Sequence, residues 1–194
     1  ALWTLRELKA KYRNLFQDAI YRKMVKVDGR YFWRIHTPGF PSAASRELQA
    51  EEVRRLLPNW EHGYIRSLLF GVTTKCPMRC EHCYEWANLQ EKESLTRSDL
   101  QEIVQKFQDY GTAMVFFGGG EPLLRLDDLC QIVASGHSNS DFWLYTSGFH
   151  LGKKEAERMK AAGFTGVMVS LDHYLAEFHD RFRGFPGAYA HAIT

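Results

Sequence analysis

The sequence predicts an α/β fold with a parallel sheet, and three observations carry that expectation. From Tyr64 onward, short apolar runs alternate with longer amphipathic stretches, which is the rhythm of βαβ units. The composition is that of a globular chain, 45% hydrophobic and 25% charged. Each apolar run also ends in a polar or glycine-rich segment: Cys76–Cys83, Gly119–Glu121, Thr146–Gly148 and Ser170–Asp172. Parallel α/β folds gather functional residues at the carboxyl ends of strands, so these four segments are expected to share one rim.

The elements follow in order along the chain. Over residues 1–24, Leu5, Leu8, Tyr12, Leu15 and Phe16 recur at helical spacing among basic residues, which predicts an amphipathic helix. Val25–Val27 and Arg30–Ile35 flank Asp28-Gly29, a strong hairpin signal. Pro38, Gly39 and Pro41 break the chain, and Ser45–Leu57 reads as a short charged helix ended by Pro58. Ile65–Val72 is the first strand of the alternating part. Thr96 caps a helix that carries Leu100, Ile103, Val104 and Phe107 on one face, and Asp99 completes a capping-box-like pair. Ala113–Phe117 is a buried-type strand, Asp127–Ala134 a helix, and Phe142–Tyr145 the third strand. Lys153–Ala162 is a helix stopped by Gly163, Gly166–Leu171 the fourth strand, and Ala188 opens a further helix.

Charge and cysteine use narrow the function. A chain of 194 residues can bury a sizeable core, and its net charge of +2 does not suggest a nucleic-acid partner. Beneath that total, residues 1–60 carry +6 and residues 61–194 carry −4, which divides a basic extension, 1–63, from an acidic portion, 64–194. No run approaches the ~20 apolar residues of a membrane span, and no secretory signal pattern opens the sequence. Three of the four cysteines, Cys76, Cys80 and Cys83, lie within eight residues, and Cys130 stands apart. Such clustering reads as a metal or cluster site in a reducing, cytoplasmic compartment, not as a disulfide framework.

Cys76-Pro-Met-Arg-Cys80-Glu-His-Cys83 places three thiolates so that one loop can wrap three corners of a small cluster. Iron–sulfur clusters take thiolate ligands, and three ligands on a four-iron cluster leave one iron open. The spacing alone also admits a structural zinc site completed by His82 or a distant histidine, although the usual second Cys-x-x-Cys pair is missing.

The other rim segments extend the pattern. Phe117-Gly-Gly-Gly-Glu-Pro122, Tyr145-Thr-Ser-Gly148, Val169-Ser-Leu-Asp172 and His179-Asp-Arg-Phe-Arg-Gly184 follow the cysteine loop in order. Together these five elements resemble the radical S-adenosylmethionine (radical SAM) superfamily, with its Cys-x-x-x-Cys-x-x-Cys signature after the first strand. Among its members the pattern is most similar to peptide-modifying, SPASM-type and anaerobic sulfatase-maturase-like enzymes. The chain departs from the family pattern at His82, Gly118 and Ser147, where an aromatic residue, Thr or Ser, and Asn are more frequent.

The resemblance implies a set of roles. Cys76, Cys80 and Cys83 would hold a [4Fe–4S] cluster whose open iron binds S-adenosylmethionine. Reductive cleavage would give a 5′-deoxyadenosyl radical that takes hydrogen from the substrate. Glu121 would accept the methionine ammonium, and Gly119 and Gly120 would allow close backbone approach. Ser170 and Asp172 would face the ribose, Arg183 the methionine carboxylate, and Tyr84 the adenine region. A peptide or protein substrate is expected, with a small molecule, a lipid head group or a non-catalytic metal-bound scaffold as alternatives. The electron donor would be a flavodoxin or ferredoxin.

The family core is a (β/α)6 barrel. At about 30 residues per βαβ unit, six units need roughly 200 residues. Residues 64–194 hold about four, so a partial barrel is expected, preceded by a helix–hairpin–helix extension. The basic N-terminal helix is expected to pack on the barrel or a partner in preference to a membrane surface. Cys130 and the scattered histidines read as packing residues.

Overall fold

In the computed structural model, Asp28 and Gly29 close a tight hairpin between β1 (Val25–Val27) and β2 (Arg30–Phe32). Both turn residues have positive φ, 46° and 80°, as a type I′ turn requires. The second strand is shorter than the apolar run suggests. The chain folds back at Trp33, and Phe40 pairs with Tyr31 through two backbone hydrogen bonds. The structure describes residues 23–55 and 63–194, together with Arg6 and Ala10. The amphipathic helix expected over residues 1–24 lies almost wholly outside the described residues, as does the expected helix end at Leu57.

Ser42 caps α1 (Ala43–Arg54) in a reciprocal capping box with Ser45, so this helix starts two residues earlier than expected. Its buried Glu52 pairs with Arg55 and Arg66. The alternating part then runs β3 (Ser67–Gly71), α2 (Arg97–Asp109), β4 (Met114–Gly118), a 3₁₀ turn (Pro122–Arg125), α3 (Leu126–Ser135), β5 (Asp141–Thr146), α4 (Lys153–Ala162), β6 (Gly166–Val169), α5 (Ala176–Arg183) and α6 (Ala188–Ile193). The four strands pair in parallel in the order β3-β4-β5-β6. Thr96 and Asp99 cap α2, and Gly163 ends α4 in the left-handed conformation. No helix among the described residues is long and apolar enough to cross a membrane.

Alternate strand residues face two different environments. Leu68, Phe70, Val115, Phe117, Phe142, Leu144 and Val167 pack under the helices, against Leu100 and Val104 of α2, Leu129, Ile132 and Val133 of α3, and Met159 of α4. Burying each of these large side chains stabilises the fold by about 1.5–3 kcal/mol. Cys130 packs against this cluster, as expected of a small apolar residue. The opposite face carries Leu69, Phe116 and Trp143, neighbours in register on β3, β4 and β5.

At its amino end that second face is covered by the hairpin segment. The Asp141 carboxylate accepts from Arg30 Nη1 at 2.7 Å and from the Gly39 amide at 3.0 Å. Phe32 meets Trp143 edge-on, and His36 lies against Phe116 at 5.4 Å. The carboxyl end of the same face stays open, with Leu69 63% exposed.

Candidate functional site

The strand ends converge as expected, and a cavity of about 300 Å³ opens among them. Its wall includes Cys76, Cys80, Cys83, Tyr84, Gly119, Gly120, Glu121, Ser170 and Arg183. All three cysteines are free thiols. Within their loop, buried Met78 packs with Phe149, Phe185 and Ala188, so α6 supports the loop.

Two segments hold the cysteine loop in place. On one side, the Gly120 amide donates to Thr73 O and the Glu121 amide to Lys75 O, both at 2.7 Å. A Cβ on Gly119 would lie 2.6 Å from Thr73 O, and one on Gly120 would lie 2.3 Å from Lys75 O. The close approach that demands these glycines is therefore to the segment Thr73–Lys75, which leads from β3 into the cysteines. On the other side, Arg79 and Glu81 donate their amides to the carbonyls of Arg183 and Phe182. His82 stacks on Phe182 at 4.8 Å, so the residue that departs from the expected pattern has an aromatic partner inside the chain.

Glu121 is buried, and four donors reach its carboxylate. Oε1 accepts from the Leu123 amide at 3.1 Å and from Thr146 Oγ1 at 2.7 Å. Oε2 accepts from the Ser147 amide at 3.0 Å and from Ser147 Oγ. These contacts use the roughly four acceptor positions of a carboxylate. A cationic ligand in the cavity would thus feel the negative charge of Glu121 and find no vacant acceptor on it. Thr146 and Ser147, which belong to the third rim segment, thus supply three of the four donors, a role the sequence reading had not assigned to them. Their place in Tyr145-Thr-Ser-Gly148, at a strand end, was the available signal.

The remaining expected residues divide. Ser170 lines the cavity and continues the sheet through its amide to Thr146 O at 2.9 Å. The Tyr84 ring stands at the exposed lip, with its hydroxyl end over Gly118. Burial of that hydroxyl pushes the Tyr84 pKa up. Asp172 follows Ser170 at the end of β6 and faces Arg183. Its Oδ2 sits 2.6 Å from Arg183 Nε as an ion pair, off the line of a hydrogen bond. Arg183 also directs Nη1 at Cys80 Sγ, 3.5 Å away.

The electrostatics suit a cationic guest. The Cys76 thiol is pushed up to about 11, chiefly by burial. The Met78 amide lowers it, and Glu121, Cys80 and Cys83 raise it further. Such a thiol ionises when a metal supplies the compensating charge. Three thiols on one loop are a donor set that an iron–sulfur cluster takes, one thiolate per iron. The residues present therefore fit an iron–sulfur cluster with a positively charged ligand beside it.

Relatives carry related sequences. Over 127 residues the chain is 28% identical to an AdoMet-dependent heme synthase of Nitratidesulfovibrio vulgaris, covering 65% of this chain and 35% of that one. It is 30% identical over 145 residues to the mycofactocin maturase MftC of Mycobacterium ulcerans, covering 73% and 38%. It is 32% identical over 126 residues to a probable GTP 3′,8-cyclase of Methanococcus aeolicus, covering 62% and 42%. The chain thus spans 35–42% of the length of these three relatives. The crystal structure of Streptococcus suis SuiB bound to precursor peptide SuiA shares the fold, with a TM-score of 0.52 at 17% identity over 74% of this chain and 31% of that one. The radical SAM superfamily model matches residues 70–193, from within β3 through the last helix. The family's members use a [4Fe–4S] cluster and S-adenosylmethionine. The rim that the strands assemble is the one this match covers, and the chain belongs to the radical SAM superfamily of enzymes.

Proposed function

We propose that Cys76, Cys80 and Cys83 hold the [4Fe–4S] cluster and that residues 64–194 form the part of a radical SAM enzyme that binds it together with S-adenosylmethionine. When bound, these groups supply one-electron reductive cleavage of the sulfonium and a hydrogen-abstracting 5′-deoxyadenosyl radical. The observation that carries the reading is the meeting of three free thiols and buried Glu121 around one cavity. Gly119 and Gly120 seat the loop, the Glu121 charge favours the ammonium and sulfonium, Ser170 lies on the wall expected to meet the ribose, and Tyr84 closes the lip over the adenine region. Residues 1–63 form an extension to this part, and Arg30, Phe32, His36 and Gly39 within it cover the amino end of the sheet.

The substrate in this reading is a peptide. The lip is apolar and open, with Tyr84 72% and Leu69 63% exposed. Such a surface suits an extended chain laid across the rim. SuiB, which has the same fold, is bound to a precursor peptide. The names of the heme synthase and GTP cyclase relatives favour a second reading, a small-molecule substrate.

Anaerobic reconstitution tests the chemistry. About four irons per chain, and 5′-deoxyadenosine formed from S-adenosylmethionine with dithionite, are expected. Cys80→Ala should remove both. Stoichiometric zinc without cleavage would overturn the proposal.

A further inference from the structure

Arg183 ends α5 with its side chain almost entirely inside the protein, 7% exposed, next to Cys80 at 8%. Its surroundings leave it little freedom. The Arg183 carbonyl accepts from the Arg79 amide at 2.9 Å. Gly184 follows at φ 58°, where a Cβ would lie 2.6 Å from Arg79 O. One turn earlier, His179 Nδ1 accepts from the Asp172 amide at 3.2 Å, which fixes the anion opposite the guanidinium. Asp180 binds the amides of Gly187 and Tyr189 and so ties α5 to α6 beneath the loop. The run from His179 to Gly184 is thus a brace on the cysteine loop, and its Arg183 guanidinium directs an N–H at the Cys80 sulfur.

Cluster potentials respond to hydrogen bonds at the sulfurs, to net charge and to solvent exposure. An N–H directed at a thiolate withdraws charge from it and favours the state carrying the extra electron. With both partners buried, solvent screens that effect poorly. We infer that Arg183 is a positioning residue that raises the reduction potential of a cluster ligated by Cys80, and that Asp172 sets how much of its positive charge the sulfur feels. The inference rests on the cluster assignment above. It differs from a contact to the methionine carboxylate because it acts before S-adenosylmethionine binds.

The test is a redox titration followed by electron paramagnetic resonance, on anaerobically reconstituted protein without S-adenosylmethionine. Iron content is measured alongside. Arg183→Gln should lower the reduced-to-oxidised ratio at a fixed potential about tenfold, which is 59 mV for a one-electron couple. Arg183→Lys should recover most of the parent value. Asp172→Asn should shift the potential in the opposite direction, because it removes the offsetting anion. A parent-like potential in Arg183→Gln, with weakened S-adenosylmethionine binding instead, would overturn the inference. So would loss of iron from both Arg183→Gln and Asp172→Asn, which would leave Arg183 a brace alone. Failure of the parent protein to take up iron would instead overturn the cluster reading on which this rests.

Discussion

Replacing Gly119 by alanine tests whether the cysteine loop is seated by backbone contact. Two costs act at this position. Gly119 has φ +110°, where an L side chain is strained by about 1–3 kcal/mol. Its Cβ would also lie 2.6 Å from Thr73 O and 3.1 Å from both Gly71 Cα and Val72 N. All three are backbone atoms of Gly71–Thr73, where β3 runs out towards Cys76, so none can swing aside as a side chain would. Gly163 supplies the control, with φ +105° and only an ordinary contact to Val133 at 3.6 Å. Gly163→Ala should therefore carry the strain alone. Gly119→Ala should exceed it by about 1–3 kcal/mol, the usual cost of overpacking. Urea unfolding of the cluster-free protein measures the difference, and iron retention after reconstitution should fall for Gly119→Ala only. Equal destabilisation by the two variants, with equal iron, would refute the seating argument.

Three further outcomes follow from the same geometry. Thr146→Val removes a donor to buried Glu121 and the acceptor of the Gly148 amide. It should cost about 2–3 kcal/mol in urea unfolding and weaken S-adenosylmethionine binding in calorimetry. Burial, then Arg183, lowers the pKa of His179, which works as a neutral acceptor. Its stabilisation is present above the ordinary value of about 6.5 and is lost as pH falls below it. The parent should therefore lose more stability between about pH 7.5 and 5.5 than His179→Asn does, and identical profiles would contradict this. Asp141→Ala breaks the partly buried pair with Arg30 and frees the Gly39 amide. It should destabilise by about 3 kcal/mol and speed proteolysis within residues 23–42.

Much of the fold was legible because hydrophobic periodicity reports burial. The runs around Val115, Leu144 and Val167 became strands, and the Thr96 and Gly163 signals marked helix ends correctly. Helix α5 was invisible to that logic because two of its buried residues, His179 and Arg183, are polar. Long-range polar pairs were equally hidden. Nothing local in the sequence ties Arg30 or Gly39 to Asp141, more than a hundred residues away. At the site, the cysteines, Gly119, Gly120, Glu121 and Ser170 could be placed on one rim because each ends a strand. The partners of Asp172 were not legible, because the Arg183 guanidinium and the His179 ring both come from the next helix. Gly119 and Gly120 were read as points of close backbone approach, and which backbone they meet, the chain's own Thr73 and Lys75, was not legible in the sequence.

The central claim is that the cavity at the strand ends holds a four-iron cluster on three cysteines, with one iron open to S-adenosylmethionine. Electron paramagnetic resonance of the dithionite-reduced, reconstituted protein, recorded before and after adding S-adenosylmethionine, tests it most directly. The account predicts a cluster signal that changes when S-adenosylmethionine is added and that is absent from Cys80→Ala. A signal that does not respond to S-adenosylmethionine, or one that survives in Cys80→Ala, would contradict it.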